Sequence, residues 1–85
     1  MMKERRKEIV ELVRTVTEKK GYSVEEILEA EDLQDGILDS LELVQLVISL
    51  EEHFSISIDD EYLDLSGFNN IDSITKLIDN IMSDL

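Results

Sequence analysis

Three stretches of this chain carry apolar residues at helical spacing, and no proline interrupts any of them. Ile9, Leu12, Val13 and Val16 recur at intervals of three and four, with Val10 at the edge. Ile71, Ile74, Leu77, Ile78, Ile81 and Leu85 do the same near the other end. The stretch from Leu41 to Phe54 is denser still. Residues three and four apart share one face of an α-helix, so each stripe must be buried against another element. A chain of 85 residues with 3 glycines and no proline has little choice but to pack helix on helix. The expectation is an all-α four-helix bundle, built as a single domain over residues 1–85. Aromatics make up only 5% of the chain, so its core must be aliphatic. Cysteine is absent, which excludes a disulfide, a thiolate metal site and a Cys nucleophile.

Local signals set the expected boundaries. Helix one runs from about Lys3 to Lys20, where two lysines suit a helix C-terminus and Gly21 stops it. Gly21 to Asp39 is a long first loop. Within it Ser23-Val24-Glu25-Glu26 has the spacing of a capping box, so a short helical turn follows through Leu28. Val24, Ile27, Leu28, Leu33, Ile37 and Leu38 anchor this loop to the core. A connection this long in so small a domain points to function. Helix two runs from about Ser40 to His53 or Phe54. Ser55-Ile56-Ser57-Ile58 alternates and reads as an extended link. Asp59 and Asp60 open a short third helix containing Tyr62 and Leu63, which Ser66-Gly67 breaks. Phe68 turns inward, and Asn69 or Asn70 caps the last helix.

The charge is lopsided. The chain carries 21 acids against 8 bases, a net charge of -13. Residues 1–20 hold seven bases and four Glu, a local net of +3, while the remainder holds Lys76 alone against 17 acids. Between Gly21 and Thr75 there is no Lys or Arg. Such a surface repels phosphate backbones, which argues against nucleic acid, and attracts proteins with basic patches. The first twenty residues mix acids with bases and hold no aromatic anchor. They fit a surface helix better than a membrane-bound one or a signal peptide, so no membrane insertion and a cytoplasmic location are expected.

Gly36-Ile37-Leu38-Asp39-Ser40-Leu41-Glu42-Leu43-Val44 carries the chemistry. Asp39 and Glu42 have capping-box spacing, with Asp39 as N-cap. Ser40 then takes the first helical position with its hydroxyl free, at the positive end of the helix dipole, where a phosphate is well placed. An ordinary helix-start serine remains the bland alternative. On a wheel of about 100° per residue the apolar residues of helix two span roughly 220°, about twice what a surface helix needs. Leu41 and Ile48 lie at one edge beside Gln45 and Glu52, which reads either as a docking strip or as extra core.

Asp39-Ser40-Leu41, followed by Glu42, Val44 and Leu46 and then by Leu50-Glu51-Glu52-His53-Phe54, resembles the acyl carrier protein family. The likeness extends to length, acidity, the long first loop, the short third helix and the Ile-rich last helix, and it is strongest from Gly36 to Ile58. It implies a single carrier domain of acyl-carrier-protein type that is not an enzyme. By resemblance Ser40 matches the serine that accepts 4'-phosphopantetheine from coenzyme A, and Asp39 matches the acid that assists recognition by the phosphopantetheinyl transferase. Leu41 completes the cofactor-site triplet. Leu41, Glu42, Gln45, Ile48 and Glu52 match partner-facing positions, with Gln45 standing where an acid is common. Val44, Val47, Leu50 and Phe54 match buried positions. The implied partners are the transferase, an acyl- or aminoacyl-loading ligase, and downstream enzymes with basic patches in fatty acid, polyketide or nonribosomal peptide biosynthesis. A monomer is expected. Fatty-acid-synthesis carriers usually read Gly-Ala-Asp-Ser-Leu; here the glycine lies one place further back. That form, with Phe68-Asn69-Asn70-Ile71, looks more like stand-alone aminoacyl carriers, including the D-alanyl type. A carrier holds its cargo as a thioester on the cofactor's sulfur, which accords with a chain that has no cysteine.

Other readings stand beside this one. Counting from Glu31 gives Asp35 fifth, Gly36 sixth, Asp39 ninth and Glu42 twelfth, a partial calcium-loop pattern. It lacks an oxygen ligand at Leu33, in third place, and no metal is expected. An unmodified interaction module could use the same acidic helix without Ser40. His53 is the only histidine, and no Ser-His-acid arrangement can be inferred from sequence.

Overall fold

The computed structural model describes residues 2–58 and 68–83, and every regular element among them is helical. Helix α1 spans Met2–Val16, α2 spans Val24–Glu29, α3 spans Ser40–Phe54 and α4 spans Ile71–Ser83. The expected short helix opening at Asp59 and Asp60, with Tyr62 and Leu63, lies outside the described residues, as does Leu85.

Helix α1 is shorter than its sequence suggests. It ends at Val16, and Glu18–Lys20 continues as a tighter 3-10 turn. The buried Thr17 Oγ1 donates to the Val13 carbonyl at 2.9 Å beside the Thr17 N–H, which makes the last α-helical bond to the same carbonyl at 3.0 Å, and the next N–H groups then reach back only three residues, Lys20 to Thr17 and Gly21 to Glu18. Gly21 closes the turn in the left-handed conformation at φ 74°.

The caps are formed as the sequence spacing requires. Ser23 Oγ accepts from the Glu26 N–H at 3.1 Å, and the Ser23 N–H donates back to Glu26 Oε1 at 3.0 Å. Of the two candidate asparagines, Asn70 caps α4, its Oδ1 accepting from the Ser73 N–H at 2.8 Å. Ser55 ends α3 at φ 55°, and the alternation beyond it matches burial, with Ile56 and Ile58 inside and Ser55 and Ser57 outside.

Helix α1 is the central buttress, packing against α2, α3 and α4 in turn. Ile9 and Val13 meet the other helices in a core with Ile27, Leu33, Leu46, Leu50, Phe68, Ile71, Ile74 and Ile78. Every one of these is fully buried or within 1% of it. Two of the bases at the start of the chain pair with acids of α4. Arg5 pairs with Asp79, and Arg6 Nε lies 3.1 Å from Asp72 Oδ1. The first loop lies on the core, as expected, through Ile27, Leu33, Ile37 and Leu38. The Leu33 N–H also donates to the Asn69 carbonyl at 2.5 Å, tying the loop to the start of α4.

Gly36 sits in this loop at φ 106°, a conformation that L side chains rarely adopt. Open space surrounds the place a Cβ would take, so Gly36→Ala meets backbone strain without a clash. The variant should lose about 1–3 kcal/mol by chemical denaturation. An unchanged unfolding midpoint would show that the loop relaxes freely at Gly36.

Candidate functional site

The site begins with how α3 starts. Four N–H groups at a helix N-terminus lack partners within the helix. Asp39 Oδ1 accepts from the Glu42 N–H at 2.8 Å, and Glu42 Oε1 accepts from the Asp39 N–H at 3.0 Å, a complete reciprocal cap. Ser40 follows as the first helical residue, exposed, and its hydroxyl makes no hydrogen bond among the described residues. The side chain therefore has no structural duty, and it stands where the peptide dipoles favour an anion. Asp39→Ala should cost about 1 kcal/mol by removing the cap, read as a shift in unfolding midpoint while helicity is retained.

Two straps fix the residues leading into Ser40. Tyr22 Oη donates to the Gly36 carbonyl at 3.1 Å. Lys20 Nζ donates to the Ile37 carbonyl at 3.0 Å and to Glu42 Oε1 at 2.5 Å. The hydrogen bond to Glu42 raises the Lys20 pKa above its ordinary value. Desolvation opposes this, and the nearby charges of Glu42 and Asp39 reinforce it, so the ammonium stays charged at neutral pH.

Beyond the cap, α3 exposes an apolar strip. Leu41 is 67% exposed, Val44 55% and Ile48 49%. Spacings of three and four place them on one face. Gln45 and Glu52 are exposed beside them. Glu42 is different: it is half-buried and held by Lys20. Val44 corrects the expectation that it is buried. The core direction on α3 is set by Leu46, Val47 and Leu50. Val44 lies about 60° beyond Val47 around the helix, on the outer shoulder of an apolar arc wider than the face that packs. Val47 and Leu50 are buried as expected, and Phe54 is partly buried against the core.

His53 lies at the opposite end of α3, about 20 Å along the axis from Ser40, so it cannot act as a base for that hydroxyl. Its Nε2 is 3.5 Å from Glu8 Oε1, and its ring meets Phe54 edge-on with centroids 4.8 Å apart. The calcium alternative fares poorly: Asp39 and Glu42 are committed to each other's backbone N–H groups. Among the described residues no three His, Asp or Glu converge as a metal site.

Sequence reasoning misses two members of this site. Val44 can be found from its spacing to Leu41 and Ile48 only once the core direction is known. Lys20 gives no signal beyond being the last cation before the cation-free run.

Comparison with known proteins agrees with this geometry. Residues 7–78 match the family model described as "Phosphopantetheine attachment site". An "Acyl carrier protein" of Exiguobacterium sp. (strain ATCC BAA-1283 / AT1b) is 39% identical over 54 residues, which make up 62% of this chain and 68% of that protein. No solved structure matches the chain. With a family match across most of its length and a helical fold of the same kind, the chain belongs to the acyl carrier protein family, whose members are carriers with a covalently attached 4'-phosphopantetheine and not catalysts.

Proposed function

We propose that this protein is a single carrier domain that holds an acyl or aminoacyl cargo as a thioester on a 4'-phosphopantetheine arm attached at Ser40 Oγ, and that it presents the cargo to enzymes acting in trans. The observation that carries the reading is the idle hydroxyl of Ser40 at the start of a helix already capped by Asp39. In the transferase's site that oxygen would displace the adenosine bisphosphate half of coenzyme A, its proton passing to a base of the transferase. The resulting phosphodiester suits the N-terminus of a 15-residue helix. Asp39 and Glu42 would keep that helix end fixed under the arm, and Leu41, Val44 and Ile48 would offer the apolar contact for partners. The arm supplies the thiol that this cysteine-free chain lacks.

An aminoacyl cargo is favoured by the segment ahead of Asp39. Ile37 and Leu38 are both buried between Gly36 and the cap, so the longer spacing is built into the core. Incubation with coenzyme A and a broad-specificity transferase should add one phosphopantetheine unit to the intact mass. The modified protein is then offered to ATP-dependent ligases for amino acids and for fatty acids. Charging by amino-acid ligases is the expected result, and charging by fatty-acid ligases alone would overturn the aminoacyl assignment. No mass gain at all would favour the unmodified docking module.

A further inference from the structure

Lys20 is the last cation before the run from Gly21 to Thr75 that holds none. Among the described residues two acids of that run form ion pairs with a Lys or Arg: Asp72 of α4 with Arg6, and Glu42 of α3 with Lys20. The Lys20 ammonium crosses 22 residues of sequence to reach Glu42, and the same carboxylate oxygen accepts the Asp39 N–H. Glu42 is thereby held at 15% side-chain exposure, and Lys20, at 35%, lies over it. One turn along, Gln45 is uncharged. Leu41 and Val44 are apolar and exposed. Apart from Asp39, the exposed N-cap, which forms no ion pair among the described residues, the N-terminal half of α3 is therefore close to neutral, although it belongs to a chain of net charge -13. Glu52, further along the helix, has no ion pair among the described residues.

We propose that Lys20 is a positioning residue that withholds Glu42 from cationic partners, so that the N-terminal half of α3 is recognised by apolar contact and ionic recognition falls to acids without an internal counter-ion, such as Glu52. The inference rests on the reading of Ser40 as the modified residue. Its physical basis is competition. A partner's arginine approaching Glu42 meets a carboxylate whose charge Lys20 already neutralises through Oε1, and it brings its own positive surface against an ammonium that the Ile37 carbonyl also holds in place.

The test is a double-mutant cycle on the full chain, with coenzyme A and a broad-specificity transferase as the probe. KM and kcat for the carrier are measured for the wild type, Lys20→Gln, Lys20→Arg, Glu42→Gln and the double Gln variant, each checked for folding by thermal melting. Gln can replace Glu at the third position of a capping box, so Glu42→Gln keeps the helix start. Glu42→Gln unmasks the ammonium and should raise KM about two- to fivefold, the range of an exposed charge pair. Lys20→Gln unmasks the carboxylate and should lower KM by a similar factor. The double variant should return to within about twofold of the wild type, with kcat unchanged throughout and Lys20→Arg behaving as wild type. High salt should collapse all the KM ratios toward one, which a purely structural change would not do. A double variant as impaired as Glu42→Gln would show that partners contact Glu42 directly and would overturn the proposal, as would KM values equal in all four Gln and wild-type proteins. A wild type that gains no mass would instead overturn the Ser40 reading, and this inference with it.

Discussion

Alanine at position 40 should leave the protein folded and unmodifiable. Ser40 is exposed and its hydroxyl holds nothing in place, while Asp39 keeps the cap. Alanine is the best helix former, so stability should change by no more than about 0.5 kcal/mol. Modification, by contrast, should fall from one phosphopantetheine per chain to none by intact mass, because among the described residues no other hydroxyl stands at the first position of a capped helix. Ser23 Oγ is engaged as a cap, Thr15 Oγ1 donates to the Glu11 carbonyl, and Ser83 Oγ donates to the Asp79 carbonyl at the far end of α4. A mass gain on folded Ser40→Ala would move the attachment site elsewhere and remove the reason for the helix-start geometry.

The second large effect separates the two faces of α3. Leu46 is fully buried, and Leu46→Ala should cost about 3 kcal/mol or more through lost burial and the cavity left behind. That is a large share of the roughly 5–15 kcal/mol a domain possesses, and it corresponds to a fall in Tm on the order of 10–20 °C. Val44→Ala and Ile48→Ala trim side chains that are already half in water, so their melting points should stay within a few degrees. Their loading by a ligase should drop several-fold per folded molecule if the strip is where partners dock. Equal melting losses at Leu46 and Ile48, with loading unaffected, would place Ile48 in the core and send the search for the partner face elsewhere.

Features encoded by neighbouring residues are legible in the sequence alone. The reciprocal caps at Ser23 and Asp39, the stop at Gly21 and the stripe of isoleucines in α4 all depend on contacts three or four residues apart. Such spacing is what a sequence displays. The inward turn of Phe68 is legible too, because a lone aromatic between a glycine and a helix start has few other places to go. What stays hidden depends on distant residues. The helical wheel shows how wide the apolar arc of α3 is, but the centre of burial is set by packing on α1, so neither the wheel nor the resemblance reveals that Val44 lies outside. Glu42 reads as a surface acid because its counter-ion lies 22 positions away. The end of α1 is hard to read for a subtler reason. Its last turn closes through the Lys20 and Gly21 N–H groups reaching back three residues rather than four, and no residue spacing displays which carbonyl such a group takes.

The buttress role of α1 also shapes how the chain matures at the ribosome. Its apolar face, Ile9 and Val13 foremost, meets α2 first and is covered completely only when α3 and α4 arrive, and α4 starts at Ile71. At about 5–20 residues per second, the wait between the end of α1 and the start of α4 is roughly 3–10 s. A helix of this length relaxes in about a microsecond, so the early segment samples its conformation many times with little beyond α2 to bury against. Charged residues on its other faces, among them Lys7, Glu8 and Glu11, keep that waiting segment soluble. The packing of α1 is then completed only when α4 is available to it.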